Sequence, residues 1–161
     1  MFIKPDYNLK NIYAIDLEEL KSKGIKNLLF DLDSTLMASK AGKYFDETLE
    51  WLEDVRKNFF IAVVSNNYNP EYIEKVRAVS DFPLVFNAKK PDIKVTKEFM
   101  DKNGLKASET AFVGDRPLTD TLCGKRLGCL TILVDSITAE TEKPIVRFVR
   151  KLERLTVKSE N

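Results

Sequence analysis

Histidine does not occur anywhere in the 161 residues. Its absence excludes Ser-His-Asp and Cys-His catalysis and histidine-based metal sites. Any enzymatic mechanism must therefore run on carboxylates, lysine, hydroxyls and a metal held by oxygen ligands. Cysteine is scarce as well. Only Cys123 and Cys129 are present, in no zinc-like pattern with another ligand. They read as buried thiols in a reducing cytosol, with a disulfide not formally excluded. No apolar stretch approaches ~20 residues, so no spanning helix is expected. The start, Met1-Phe2-Ile3-Lys4-Pro5-Asp6, lacks a signal-peptide core. Neither sign of charge dominates. A formal net charge of +1 supplies no global field to draw in nucleic acid or a membrane, and no nucleic-acid partner is expected.

What is present points to one globular domain over residues 1–161. Apolar residues make up 43% of the chain and ten are Phe, enough for a real core. Short β-rich runs alternate with helical stretches, the pattern of parallel βαβ units. Strands are expected near Leu28–Phe30, Phe60–Val64, Leu84–Phe86, Ala111–Val113 and Leu130–Val134. Helices are marked by Leu49, Leu52 and Val55, by Ile73, Val76 and Val79 after Asn69-Pro70, and by Val95, Phe99 and Met100 before Asn103-Gly104. A further helix is expected from Thr119 to Arg126, and an upstream one between the cap Asp16 and Gly24. Right-handed crossovers then give an α/β fold, a three-layer α/β/α Rossmann-like sandwich with a mostly parallel sheet. Trp51 and the Phe residues read as core. The core spans about residues 25–135, and no insertion is large enough to form a cap domain.

Chemistry is expected at the strand ends, where ligands bind in open α/β sheets. Asp31 and Asp33 follow the first apolar run, and two acids there are costly without a partner. Ser65-Asn66-Asn67 follows the second run, offering a hydroxyl and backbone N–H groups to a phosphate oxygen. Lys89-Lys90-Pro91 brings an ammonium, and Gly114 permits a tight turn presenting Asp115 and Asp120. Carboxylates, a hydroxyl and a lysine around one point suit Mg2+ and phosphoryl transfer.

In these residues the chain resembles the haloacid-dehalogenase-like (HAD) phosphatases. Four motifs stand in order: Asp31-Leu32-Asp33-Ser34-Thr35, Ser65-Asn66, Lys90-Pro91, and Gly114-Asp115 with Asp120. The resemblance implies a Mg2+-dependent phosphatase that forms an aspartyl-phosphate. Asp31 would be the nucleophile and Asp33 the acid and base. Asp31, the Asp33 carbonyl and Asp115 would hold the metal, with Asp120 as a direct ligand or the holder of a metal-bound water, while Ser65, Asn66 and Lys90 would bind phosphate. Lys89 is the less suitable lysine, and Thr35 shapes the loop. The Asp6 region, the lead-in Gly24-Ile25-Lys26-Asn27 and the Arg126-Leu127-Gly128 turn are similar to the YqeG-like subgroup. That subgroup is in turn similar to phosphatidylglycerophosphate phosphatases, although relatives often carry Asn where this chain has Ser34. A phosphate-accepting signalling module or a phosphotransferase built on the same aspartate and metal is the alternative.

Without a cap, the site suits a phosphate presented by something large, such as a lipid headgroup or a macromolecule. An oligomeric neighbour would be another way to close it. From Lys143 to Lys158 six residues are basic and one is acidic. Ile145, Phe148, Val149, Leu152 and Leu155 share one helical face, and Arg147, Lys151, Arg154 and Lys158 another. Such a helix, about 143–157, can lie on an anionic membrane, as a peripheral contact of a cytoplasmic protein. The simpler expectation is a terminal helix docked on the sheet with its charges solvated.

Overall fold

Residues 3–139 and 144–157 are described in a computed structural model, without the side chains of Val146 and Arg147. Six strands form the sheet: β1 (Tyr7–Leu9), β2 (Asn27–Phe30), β3 (Phe60–Val64), β4 (Leu84–Val85), β5 (Thr110–Gly114) and β6 (Leu130–Val134). Their order is β1-β6-β5-β2-β3-β4, and every neighbouring pair runs parallel. The expected strands recur within a residue or two. The three-residue edge strand β1 had no visible signal in the sequence. It is stitched to β6 by backbone pairing and by Asp6, whose carboxylate accepts from the Thr131 N–H at 2.8 Å.

Among the described residues six α-helices accompany the sheet: α1 (Leu17–Ser22), α2 (Asp46–Arg56), α3 (Pro70–Ala78), α4 (Lys94–Lys102), α5 (Leu122–Leu127) and α6 (Pro144–Arg154). Local chemistry sets several boundaries. The Asp16 side chain accepts from the Glu19 N–H to start α1, and Asn69 does the same for the Tyr72 N–H before Pro70 opens α3. The stretch expected to be one helix from Thr119 divides in two. A π-helical turn, Pro117–Thr121, leads into α5.

Alternation along the strands divides the core into two layers. Leu28, Phe30, Ile61, Val63, Ala111, Val113, Ile132 and Val134 face one side and meet Leu20, Leu52, Tyr72 and Val76. Leu29, Ala62, Val64 and Phe112 face the other and meet Met100, Cys123 and Cys129. Thus α1, α2 and α3 cover one face while α4 and α5 cover the opposite one. Leu28, Leu29 and Phe30 have no solvent exposure, and each such side chain contributes roughly 1.5–3 kcal/mol. Leu49 and Val79, expected on apolar helix faces, lie exposed, and Tyr72 takes a core position on α3. Phe45 and Phe148 are also exposed, so the Phe residues are not all core.

This topology creates the site. The chain runs outward from β2 to β3 and β4, then returns to add β5 on the other side of β2. The order in which strands are added therefore reverses at the β2/β5 boundary, where side chains past the carboxyl ends border a crevice. Phe30 pairs with Val113, which brings Asp31 and Asp115 to the same edge.

Candidate active site

Asp31, Asp115 and Asp120 each place a carboxylate oxygen within 4.8 Å of the others. Asp31 leaves β2 and is anchored by its N–H on the Val113 carbonyl at 2.8 Å. Asp115 follows β5 directly. Asp120 comes from the π-helical turn and accepts from the Arg116 N–H at 3.1 Å. Gly114 lets these two acids share the space, for a reason other than the tight turn. A Cβ there would lie 2.3 Å from the Asp120 Cγ, so the aspartate packs directly on the glycine backbone.

The lysine sits where charge balance needs it. Lys90 Nζ donates to Asp31 Oδ1 at 2.8 Å and Asp120 Oδ1 at 2.7 Å. Burial acts to lower its pKa, but the charges of Asp120 and Asp31 outweigh that and hold it above the ordinary lysine range. Lys89 points to solvent. Asn66 lines the cavity, but its amide grips the Lys90 backbone instead of standing free for phosphate. Its Oδ1 accepts from the Lys90 N–H at 2.7 Å and its Nδ2 donates to the Lys90 carbonyl at 3.0 Å. Ser65 lies buried at the end of β3, and its hydroxyl accepts from the Asn67 N–H at 3.1 Å.

Asp33 is set apart from the three clustered acids. Its Oδ1 accepts from the Tyr72 hydroxyl at 2.5 Å and the Lys40 N–H at 2.8 Å. Burial and the bond to Asp33 hold the Tyr72 hydroxyl protonated well above the usual tyrosine range. The Asp33 side chain is thus held by Tyr72 and the Lys40 N–H, outside the Asp31–Asp115–Asp120 cluster. Thr35 does more than shape the loop. Its hydroxyl lies 3.1 Å from Asp115 Oδ1 and 3.4 Å from Asp31 Oδ2, tying the end of β2 to the end of β5. Ser34 sits at φ 67, a left-handed conformation that asparagine adopts more readily than serine.

The buried acids titrate far from ordinary carboxylates. Burial first, and then the charges of Asp31 and Asp120, push Asp115 up to about 8, against the opposing pull of Arg150. Burial and Asp31 likewise push Asp120 up to about 6, opposed by Lys90. An all-carboxylate donor set with no nitrogen or sulfur ligand fits a small hard cation of the magnesium type.

Three contributors escaped sequence reasoning. Tyr72 was legible only as a possible core residue of α3. Arg116 lies within the fourth motif and pairs with Glu153. Arg150, from α6, makes an ion pair with Asp115. Together with the expected residues, Arg116 and Arg150 line a cavity of about 220 Å3 that contains Asp31, Asp33, Ser65 and Lys90.

Known proteins share this arrangement of sequence and fold. Residues 1–138 match the family described as mitochondrial PGP phosphatase. The chain belongs to that family of phosphatases. It is 31% identical over 153 residues to the probable phosphatase YqeG of Bacillus subtilis, covering 95% of this chain and 88% of that protein. It is 36% identical over 168 residues to the Arabidopsis thaliana protein named phosphatidylglycerophosphate phosphatase 1, chloroplastic/mitochondrial. That match covers 98% of this chain, which spans 48% of the plant protein's length. The fold agrees with a predicted HAD-like family hydrolase from Porphyromonas gingivalis, with a TM-score of 0.57 and 17% identity. The superposition covers 80% of this chain and 98% of that one. A HAD family enzyme from Bacteroides thetaiotaomicron, solved with magnesium and inorganic phosphate, gives 0.56 at 16% identity over 78% of this chain and 100% of the other.

Proposed function

We propose that this phosphatase hydrolyses a phosphomonoester through an aspartyl-phosphate on Asp31, with Mg2+ as cofactor and phosphatidylglycerophosphate as substrate. The observation that carries the mechanism is the separation of two aspartates at one strand end. Asp31 stands beside Lys90 and the buried acids, whereas Asp33 is held apart by Tyr72 and the Lys40 N–H.

Asp31 is the group placed to attack phosphorus, forming the new O–P bond as the ester O–P bond breaks. Protonated Asp33 gives its proton to the leaving alkoxide. As the carboxylate it then takes a proton from the water that attacks the phosphoenzyme, releasing inorganic phosphate and regenerating Asp31. Lys90 and Ser65 bind the phosphoryl oxygens, and Asn66 keeps Lys90 in place through its backbone. Asp31, Asp115 and Asp120, with the Asp33 carbonyl, would hold magnesium, whose charge would offset that of the phosphoryl group. Tyr72 orients Asp33, and Thr35 orients Asp31 and Asp115.

The lipid assignment is supported by the Arabidopsis relative's name and by the open site. Between Asp33 and Ser65 lie only a loop, α2 and β3, and between Ser65 and Lys90 only α3, β4 and short connections. We propose a single capless unit for residues 1–161, whose phosphate substrate arrives from a bulky carrier. Phosphate release from an aryl phosphate and from phosphatidylglycerophosphate in mixed micelles, both with Mg2+, tests the reading. Asp31→Asn should abolish both. Turnover surviving in that variant would overturn the mechanism, and turnover of the aryl phosphate alone would overturn the lipid substrate.

A further inference from the structure

The last helix, α6, meets the rest of the molecule with the opposite face from the one expected. Arg150 pairs with Asp115. Arg154 donates to the Val134 carbonyl at 2.5 Å and the Asp115 carbonyl at 3.2 Å, and lies 3.4 Å from Asp135. Glu153 pairs with Arg116. These charges are engaged with the strand ends, not simply solvated. Lys143, Lys158 and the Arg147 side chain, part of the expected basic face, lie outside the described residues.

The apolar face therefore looks outward. Ile145 is 66% exposed, Phe148 56%, Val149 46% and Leu152 49%, and Leu155 just beyond is 67% exposed. Large side chains on one helical stripe do not stay in water by preference. The stripe also adjoins the site. A groove of about 250 Å3 is lined by Arg116, Ile145, Val149, Arg150 and Glu153, and its two arginines also border the active-site cavity.

We infer that α6 docks this enzyme on an anionic lipid bilayer, with its apolar stripe in the interface and the active-site mouth beside the headgroups. The inference rests on, and deepens, the lipid-phosphate reading. Charge selects the occupant. Arg150 and Arg154 are paired inward and Glu153 is paired with Arg116. The charge left over on Pro144–Arg154 is that of exposed Lys151 and of Arg147, both positive, which matches an anionic surface. A second copy would set two such basic helices against each other. The bilayer also matches the order of groups around α6. Polar contacts face the catalytic acids, the arginines stand at the boundary, and apolar side chains face away. A lipid phosphate meets the same sequence of environments from headgroup to acyl chain.

Co-sedimentation of the full chain with vesicles of phosphatidylcholine, alone or mixed with phosphatidylglycerol, tests this docking. Binding is expected on the mixed vesicles and should weaken with added salt. Phe148→Glu combined with Leu152→Glu should lower vesicle binding at least tenfold, roughly the loss expected when two buried apolar groups become charges. Its melting temperature and aryl-phosphate turnover should be unchanged. Lys151→Glu, which leaves the apolar stripe whole, should weaken binding to the mixed vesicles only. Absence of vesicle binding would overturn the inference, as would full binding by the double variant or an α6-dependent dimer in sedimentation. The vesicles contain no phosphatidylglycerophosphate. Docking without hydrolysis of that lipid would thus remove the substrate and leave the surface standing, and hydrolysis without docking would do the reverse.

Discussion

Replacing Lys90 with methionine isolates the electrostatic core of the site. The Lys90 side chain is 1% exposed, that of Asp120 2% and that of Asp31 14%, with contacts of 2.7 and 2.8 Å. A unit pair at such a distance is worth roughly 6 kcal/mol before desolvation at an effective dielectric of about 20. Truncating one partner of a buried pair costs about 3–5 kcal/mol, because the remaining charge has no counterion. That loss is expected for Lys90→Met near pH 8 in excess chelator, a fall in Tm of roughly 10 °C for a chain of this size.

Acid should relieve part of this loss. Asp120, raised to about 6, contributes stability that is complete below its unfolded value and fades as pH rises through 6. Near pH 5 Asp120 carries a proton and needs no counterion, so the cost should drop to about half. Removing Lys90 also removes what holds the Asp120 pKa down, which strengthens the effect. Urea denaturation at both pH values measures it. An equal loss at both, or a loss below about 1 kcal/mol near pH 8, would refute the assignment of Lys90 as the buried counterion.

Three other outcomes follow from the buried acids. Asp115, raised to about 8, makes the chelated protein less stable as pH rises through 8, by at most ~1.4 kcal/mol per pH unit for one group. A metal must displace that proton, so the melting shift produced by Mg2+ should grow between about pH 6 and about pH 8.5, and a flat response would count against Asp115 as a ligand. Gly114→Ala would drive a Cβ into Asp120, costing about 1–3 kcal/mol and abolishing the Mg2+-induced shift in calorimetry, whereas an unchanged shift would show that Asp120 is dispensable for the metal.

The residues that follow strands were legible before the fold was known. Asp31, Ser65, Lys90 and Asp115 each terminate or closely follow an apolar run, and a parallel sheet gathers the carboxyl ends of its strands at one edge. The order of the motifs along the chain thus translates directly into neighbourhood in space. Asp120 was visible through its spacing from Asp115, although the π-helical turn that aims it was not. Tyr72 gave no such signal. It reads as one more apolar position on α3, and only the packing of that helix beside the Asp33 loop turns its hydroxyl toward a carboxylate. The role of Asn66 was hidden in the same way, because a clamp on the Lys90 peptide depends on how two loops meet.

The α/β alternation and the edge of the sheet where chemistry gathers are written in the chain, and the lack of histidine leaves carboxylates, hydroxyls and lysine as its candidate reactive groups. Period-2 burial and strand-end position are local properties, readable along the chain. Only the tertiary structure decided which side of α6 faces inward. Amphipathic spacing defines an apolar stripe, but it does not say what that stripe meets. In this protein the carboxylates of Asp115 and Asp135 and the open carbonyls at the strand ends offer Arg150 and Arg154 stronger partners than water. The helix turns Arg150 and Arg154 toward the site, and its apolar stripe is left facing out.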